Sequence, residues 1–186
     1  MKRQILSIIL STLCGLTGSL IIGFVFFQNS IFNIEHPAAL FLFYGFYGSV
    51  FFALQNYGGK KELFASLIIV VVFQILLMGK SVSASYYLRD LILISSLFVS
   101  VLAFFKVSNS YFDKSKSLLF RTIAFSVIYS FINFILGGIL FVLQSARFSP
   151  DLSIMIFYAQ YAFLIGFGIS LGSLSYYFYI DSSIKK

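Results

Sequence analysis

The sequence predicts an all-α, polytopic integral membrane protein, a single bundle of about six transmembrane helices over residues 1–186 with both termini cytoplasmic. Three observations lead there. Of 186 residues, 60% are hydrophobic and only 10% are charged, whereas soluble domains carry about 25% charged residues. Mean hydropathy is +0.98. The apolar residues gather in six runs long enough for a hydrocarbon core about 30 Å thick, which takes roughly 17–25 helical residues.

The runs are Ile5–Phe27, Pro37–Leu54, Leu63–Gly79, Leu88–Phe105, Thr122–Ala146 and Leu152–Phe178. Met1-Lys2-Arg3 before the first run mimics a signal peptide. Its length and the lack of an Ala-x-Ala-like ending before Gln28 predict a retained span, and bulky Leu13 before Cys14 fits a lipoprotein cleavage site poorly. The third and fourth runs are short; the fourth starts with Arg89 and Asp90 near its mouth and ends at Lys106, and these charges are expected to snorkel or pair at the interface. The fifth and sixth are long enough to span with tilt. The links are too short to hold a folded domain outside the membrane. With 25 Phe, 12 Tyr and no Trp, tyrosine alone supplies the interfacial aromatic belt.

Orientation follows from the basic residues. A cytoplasmic amino terminus places Lys2, Arg3, Lys60, Lys61, Lys106, Lys114, Lys116, Arg121, Lys185 and Lys186 on one side and only Lys80, Arg89 and Arg147 on the other. That asymmetry is the positive-inside pattern and accounts for the net charge of +7 without nucleic acid. The location expected is a bacterial cytoplasmic membrane.

The first run carries Ser7, Ser11, Gly15, Ser19 and Gly23 at every fourth position. Residues four apart stack on one helix face, so the row forms a trough that a second backbone can enter. The sixth run has Ala162, Gly166 and Ser170, with Gly168 and Gly172 beside them, and the second has Gly45, Ser49 and Ala53. Gly137-Gly138 lies mid-span in the fifth and is expected to pack within a straight helix. Packing inside the chain is the first use of these rows; docking of another membrane subunit on the first helix is the second.

Ionisable groups at depth would mark a pump, a metal carrier or an intramembrane enzyme. Glu35, Glu62, Asp90, Asp113, Asp151 and Asp181 all fall at expected span ends or in loops. The Arg89-Asp90 and Arg147…Asp151 pairs read as helix starts, with the carboxylate at the positive end of the dipole. Glu35-His36-Pro37 reads as another helix start, with too few ligands for a metal. Cys14 is the single cysteine and has no disulfide partner in the chain. No enzyme, cofactor or metal is therefore expected. The polarity left inside the spans is neutral: Gln74, Asn133 and Gln160, with Tyr44, Tyr47, Tyr129, Tyr158 and Tyr161. Amides in hydrocarbon seek partners, so Asn133 and Gln160 are expected to face the bundle interior. A ligand site there would use Asn133, Gln160, Tyr44, Tyr129 and Tyr158, with Arg89 as the nearest outer charge.

A chain of this length with six spans and the Ser7–Gly23 row resembles in outline the substrate-binding S-components of energy-coupling-factor vitamin transporters. The resemblance implies that the row contacts a coupling subunit. The function expected is a non-catalytic, transport-associated subunit binding a small neutral or weakly polar solute, or alternatively an assembly subunit with no ligand of its own. Its surroundings are the lipid bilayer and, through the first helix, other membrane subunits.

Overall fold

In lipid every backbone N–H and C=O must be satisfied within the chain, and a helix does this segment by segment. The computed structural model describes residues 2–27, 39–78, 84–111, 118–145 and 152–181, and these residues form six helices. They are α1 (Lys2–Phe27), α2 (Ala39–Tyr57), α3 (Lys60–Met78), α4 (Ala84–Tyr111), α5 (Leu118–Ser145) and α6 (Leu152–Ser175). A π-helical turn, Tyr176–Asp181, continues α6. The chain is thus an all-α membrane bundle. Four segments are long and apolar enough to cross a bilayer: Arg3–Phe26, Asp90–Ser108, Leu118–Leu140 and Leu152–Tyr179. With 19 residues each, α2 and α3 are about 28 Å long. The Glu35-His36-Pro37 and Arg147…Asp151 helix starts lie outside the described residues.

The helices run alternately up and down. One end, the basic end, holds Arg3, Lys60, Lys61, Lys106 and Arg121 among the described residues. There the Gln4 amide donates to the Tyr57 carbonyl, the Tyr57 ring meets Tyr176 at 6.1 Å, and the Arg121 guanidinium lies 5.2 Å above the Phe178 ring.

Two backbone approaches set the arrangement. α6 packs along α1 on one side and along α5 on the other, while α2 fills the space against α1, α6, α4 and α3. Ser7, Ser11, Gly15, Ser19 and Gly23 are all buried. A Cβ on Gly15 would stand 2.5 Å from Ser49 Oγ of α2 and also strike Ser173 Oγ of α6. One on Gly168 would stand 2.5 Å from Ser19 Cα, and one on Gly172 would meet the Cys14 carbonyl. Hydroxyls then bridge the seam: Ser19 Oγ donates to Phe41 O at 2.9 Å and Ser173 Oγ to Ser11 O at 3.3 Å. The row on the first helix is thus filled by α2 and α6.

The second small-residue row of α6 serves its other neighbour. A Cβ on Gly166 would lie 3.1 Å from the Tyr129 ring and 3.4 Å from Ser126 Cα of α5. α5 runs unbroken through Gly137-Gly138, where Tyr158 and Met155 of α6 occupy the space that side chains would need.

Towards the basic end the core is aromatic. Phe52 of α2, Phe104 of α4 and Phe125 of α5 meet pairwise at 5.2–5.7 Å, and each such pair adds about 0.5–1.5 kcal/mol beyond area burial. α3 is peripheral. It buries Leu63, Ser66 and Val70, while Ile68, Ile69, Phe73 and Leu76 face outward.

Gly15→Leu places a branched side chain where three helices converge. It is expected to cost about 3 kcal/mol, the upper range for an overpacked site. Leu13→Ala, at a position 53% exposed on the lipid side of α1, should change stability by under about 0.5 kcal/mol. Thermal unfolding followed by a thiol-reactive dye on Cys14 separates the two.

Candidate functional site

The half of the core away from the basic end is polar. α2 presents Tyr44 and Tyr47 on adjacent turns, α3 presents Gln74 near its end, and α4 presents Asp90 in its second turn. Asp90 is only 4% exposed. Its Oδ1 accepts from Tyr44 Oη at 3.1 Å and its Oδ2 from Gln74 Nε2 at 3.0 Å. Gln74 Oε1 in turn accepts from Tyr47 Oη at 2.7 Å. The result is a chain of donors running from Tyr47 through Gln74 to the carboxylate, with Tyr44 closing it from the other side. A carboxylate removed from water is tolerated only where such donors replace its hydration.

This overturns the expectation that every acidic residue lies at a helix end or in a loop. α4 begins at Ala84, so Asp90 is beyond the capping positions and its carboxylate turns inward to α2 and α3. The bundle therefore contains a buried acid. The side chain of Arg89 lies outside the described residues.

A second polar cluster adjoins the first through Tyr44. Asn133 of α5 is 1% exposed, as the need of an amide for partners in hydrocarbon predicts. Its Nδ2 donates to Tyr129 O at 2.8 Å. The Ser96 hydroxyl lies 3.2 Å from Asn133 Oδ1 and 2.7 Å from Leu93 O, sharing its one proton between them. Between α2, α4, α5 and α6 a cavity of about 30 Å³ is lined by Tyr44, Tyr129, Asn133, Tyr158 and Tyr161, with walls from Leu93, Phe157 and Ile165. A water needs roughly 10–15 Å³ and a ligand pocket about 300–1,000 Å³, so the enclosed space in this conformation is water-sized.

Four of the six ligand candidates, Tyr44, Tyr129, Asn133 and Tyr158, thus share one cavity. Gln160 does not join them. It is exposed and borders a groove of about 430 Å³ on the outside of α5 and α6, contrary to the expectation that it faces the interior. The reason is angular: on α6 the inward face is already taken by Gly166, Gly168 and Ser170, and Gln160 falls on the opposite side. Another open groove, about 440 Å³ between α4 and α5, is walled by Leu91, Ile92, Val99, Ile132, Ile135 and Leu136, with Ser95 and Ser96 the polar residues in its lining.

Asp90, Gln74 and Tyr47 were not among the ligand candidates. The signal that points to them is that Gln74 and Asp90 each sit about one turn inside the same end of consecutive helices, where two polar groups fall at one depth. Among the described residues no group of three His, Cys, Asp or Glu side chains is placed to hold a metal.

Fold and site together define a helical membrane protein with a buried polar core. The chain matches no family model, no curated protein and no solved structure.

Gln74→Leu takes the acceptor from Tyr47 Oη and one donor from Asp90 Oδ2 and is expected to cost about 2–3 kcal/mol, whereas Tyr44→Phe removes a single donor at about 1 kcal/mol. The dye-based unfolding measurement orders them. Equal, negligible losses would mean that the network does not hold α3.

Proposed function

We propose that this chain is a transport-associated membrane subunit, without catalysis of its own, that receives a small weakly polar solute in the polar half of its bundle. The observation that supports this reading is convergence: five helices, α2 to α6, each send a phenol, amide or carboxylate side chain to the same half of the core. Ionisable residues inside a membrane bundle are costly and mark substrate or ion pathways, and Asp90 is such a residue. The buried carboxylate of Asp90 adds an acceptor to the amide and phenol groups, which suits a solute that carries hydrogen-bond donors.

On this reading the water-sized cavity is the closed form, and α3 is the helix that yields. It has the smallest buried face and its polar tie runs through Gln74. All six helices cross a bacterial cytoplasmic membrane, both termini lie on the cytoplasmic side and the polar half faces out, in keeping with the excess of basic residues at the other end. A second reading, an assembly subunit without a ligand, is favoured by one specific observation: the polar groups already satisfy one another.

Native mass spectrometry of gently extracted protein distinguishes the readings. The solute reading expects a small-molecule adduct on the wild-type chain that is lost in Asn133→Leu and weakened in Tyr161→Phe. A wild-type chain that carries no adduct and instead retains another subunit supports the assembly reading. The orientation is tested separately with Cys14 replaced by Ser: Lys2→Cys and Lys186→Cys should resist impermeant thiol reagents in intact cells and react in inverted vesicles.

A further inference from the structure

Gln160 is the amide that the bundle leaves outside, and its depth gives that fact weight. Ser130 Oγ donates to Ala159 O at 2.9 Å, which sets Gln160 level with residue 130 of α5. The apolar stretches of the two helices are Leu118–Leu140 and Leu152–Tyr179, so Gln160 lies about 12 Å inside its own and level with a point about 15–18 Å from either end of its neighbour's, at 1.5 Å per residue. A glutamine side chain does not reach across that distance to the lipid headgroups. Among the described residues the Gln160 amide makes no hydrogen bond within the chain. An amide facing acyl chains without a partner is disfavoured strongly enough that something in the membrane should supply one.

The surface around it is shaped for close approach. Gln160 borders the outer groove of about 430 Å³, whose floor is Ser130 and Ala159 and whose walls are Phe134, Ile156, Phe163 and Leu164. Small residues in the floor let a neighbouring helix come near. Val127 and Phe131 on α5 are exposed and uncharged, and no charged residue lines the groove, so no like charges oppose contact between two identical faces.

We infer that this face of α5 and α6 is a two-fold interface between two copies of the chain, joined at its centre by Gln160. A primary amide carries both donor and acceptor. Across a two-fold axis along the membrane normal, each Nε2–H donates to the other copy's Oε1, and both amides are satisfied with no further residue required. An unlike partner would need a matching polar group of its own, whereas a second copy brings one by symmetry. The interface lies on the opposite side of α6 from its seam with α1 and stands whether or not the polar core takes a solute.

The test uses the full chain in lipid vesicles at graded dilution, with Cys14 replaced by Ser for cross-linking. Gln160→Cys should form a disulfide-linked dimer under mild oxidation, and Leu76→Cys, at a position 73% exposed on α3, should not. Gln160→Leu should weaken dimerisation about tenfold, the loss of one reciprocal amide pair, with Gln160→Asn recovering part of it. At dilutions where both are monomeric, thermal unfolding of Gln160→Leu should match wild type, since its monomer loses no contact. A chain that stays monomeric at every dilution, cross-linking at Leu76→Cys equal to that at Gln160→Cys, or a Gln160→Leu dimer as tight as wild type would overturn the interface.

Discussion

The closest constraint in this bundle is the contact of two backbones where side chains are missing. Gly18 and Gly172 leave α1 and α6 room to touch main chain to main chain: a Cβ on Gly18 would run into the Gly168 carbonyl, and one on Gly172 would stand 3.0 Å from Gly15 Cα. In lipid there is no hydrophobic gain from bringing helices together, because acyl chains are as apolar as leucine. Dispersion between well-fitted surfaces and hydrogen bonds across them must do it. Once α1 fixes one side of α6, the helix's other small-residue face, around Gly166, fixes α5. That fixes in turn where Tyr129 and Asn133 stand relative to Tyr158 and Tyr161, so the polar cavity inherits its geometry from a seam on the far side of α6.

The core is divided along its length, and the division follows from what each end must accomplish. Towards the basic end, rings from α2, α4 and α5 fill volume and need no partners. Towards the other end, hydroxyl, amide and carboxylate groups replace them, each requiring a partner in a medium that offers none. Asp90 is the extreme case. Its two oxygens take donors from two different helices, which makes the carboxylate the junction of α2, α3 and α4 at a level where α3 has little apolar surface turned inward. A helix so lightly packed and so specifically tied is one whose position depends on a few hydrogen bonds.

What could be read in the sequence was whatever depends on spacing alone. The Ser7–Gly23 row lies on one face at any rotation of the helix, and its burial follows from having no bulk to offer lipid. Direction was the hidden quantity. In a soluble bundle the apolar stripe reveals which way a helix faces, but here lipid and core are both apolar and the contrast disappears. Asn133 and Gln160 are equivalent by composition, yet one is enclosed and the other turned outward, because their neighbours at i±4 differ. Asp90 was hidden for another reason: the apolar run begins at Leu88, which puts Asp90 at its mouth, while the helix begins at Ala84 and carries Asp90 into its second turn. Hydropathy marks where the chain becomes greasy, and the backbone continues its hydrogen-bond ladder well beyond that point.

The bond from Ser173 Oγ to Ser11 O joins residues 162 positions apart, and this separation bears on how the protein is made. At about 5–20 residues per second, roughly 10–30 s pass between synthesis of the first helix and arrival of the sixth. Throughout that interval the trough on α1 has only α2 to cover part of it, and its serines face lipid or whatever insertion machinery shelters them. Local pairs such as α1 with α2 can form early, but the long-range closure carries the loop entropy of nearly the whole chain. The seam that organises the finished bundle is therefore the last to form, and a nascent chain stalled before residue 152 is left with its most finely fitted surface unfilled.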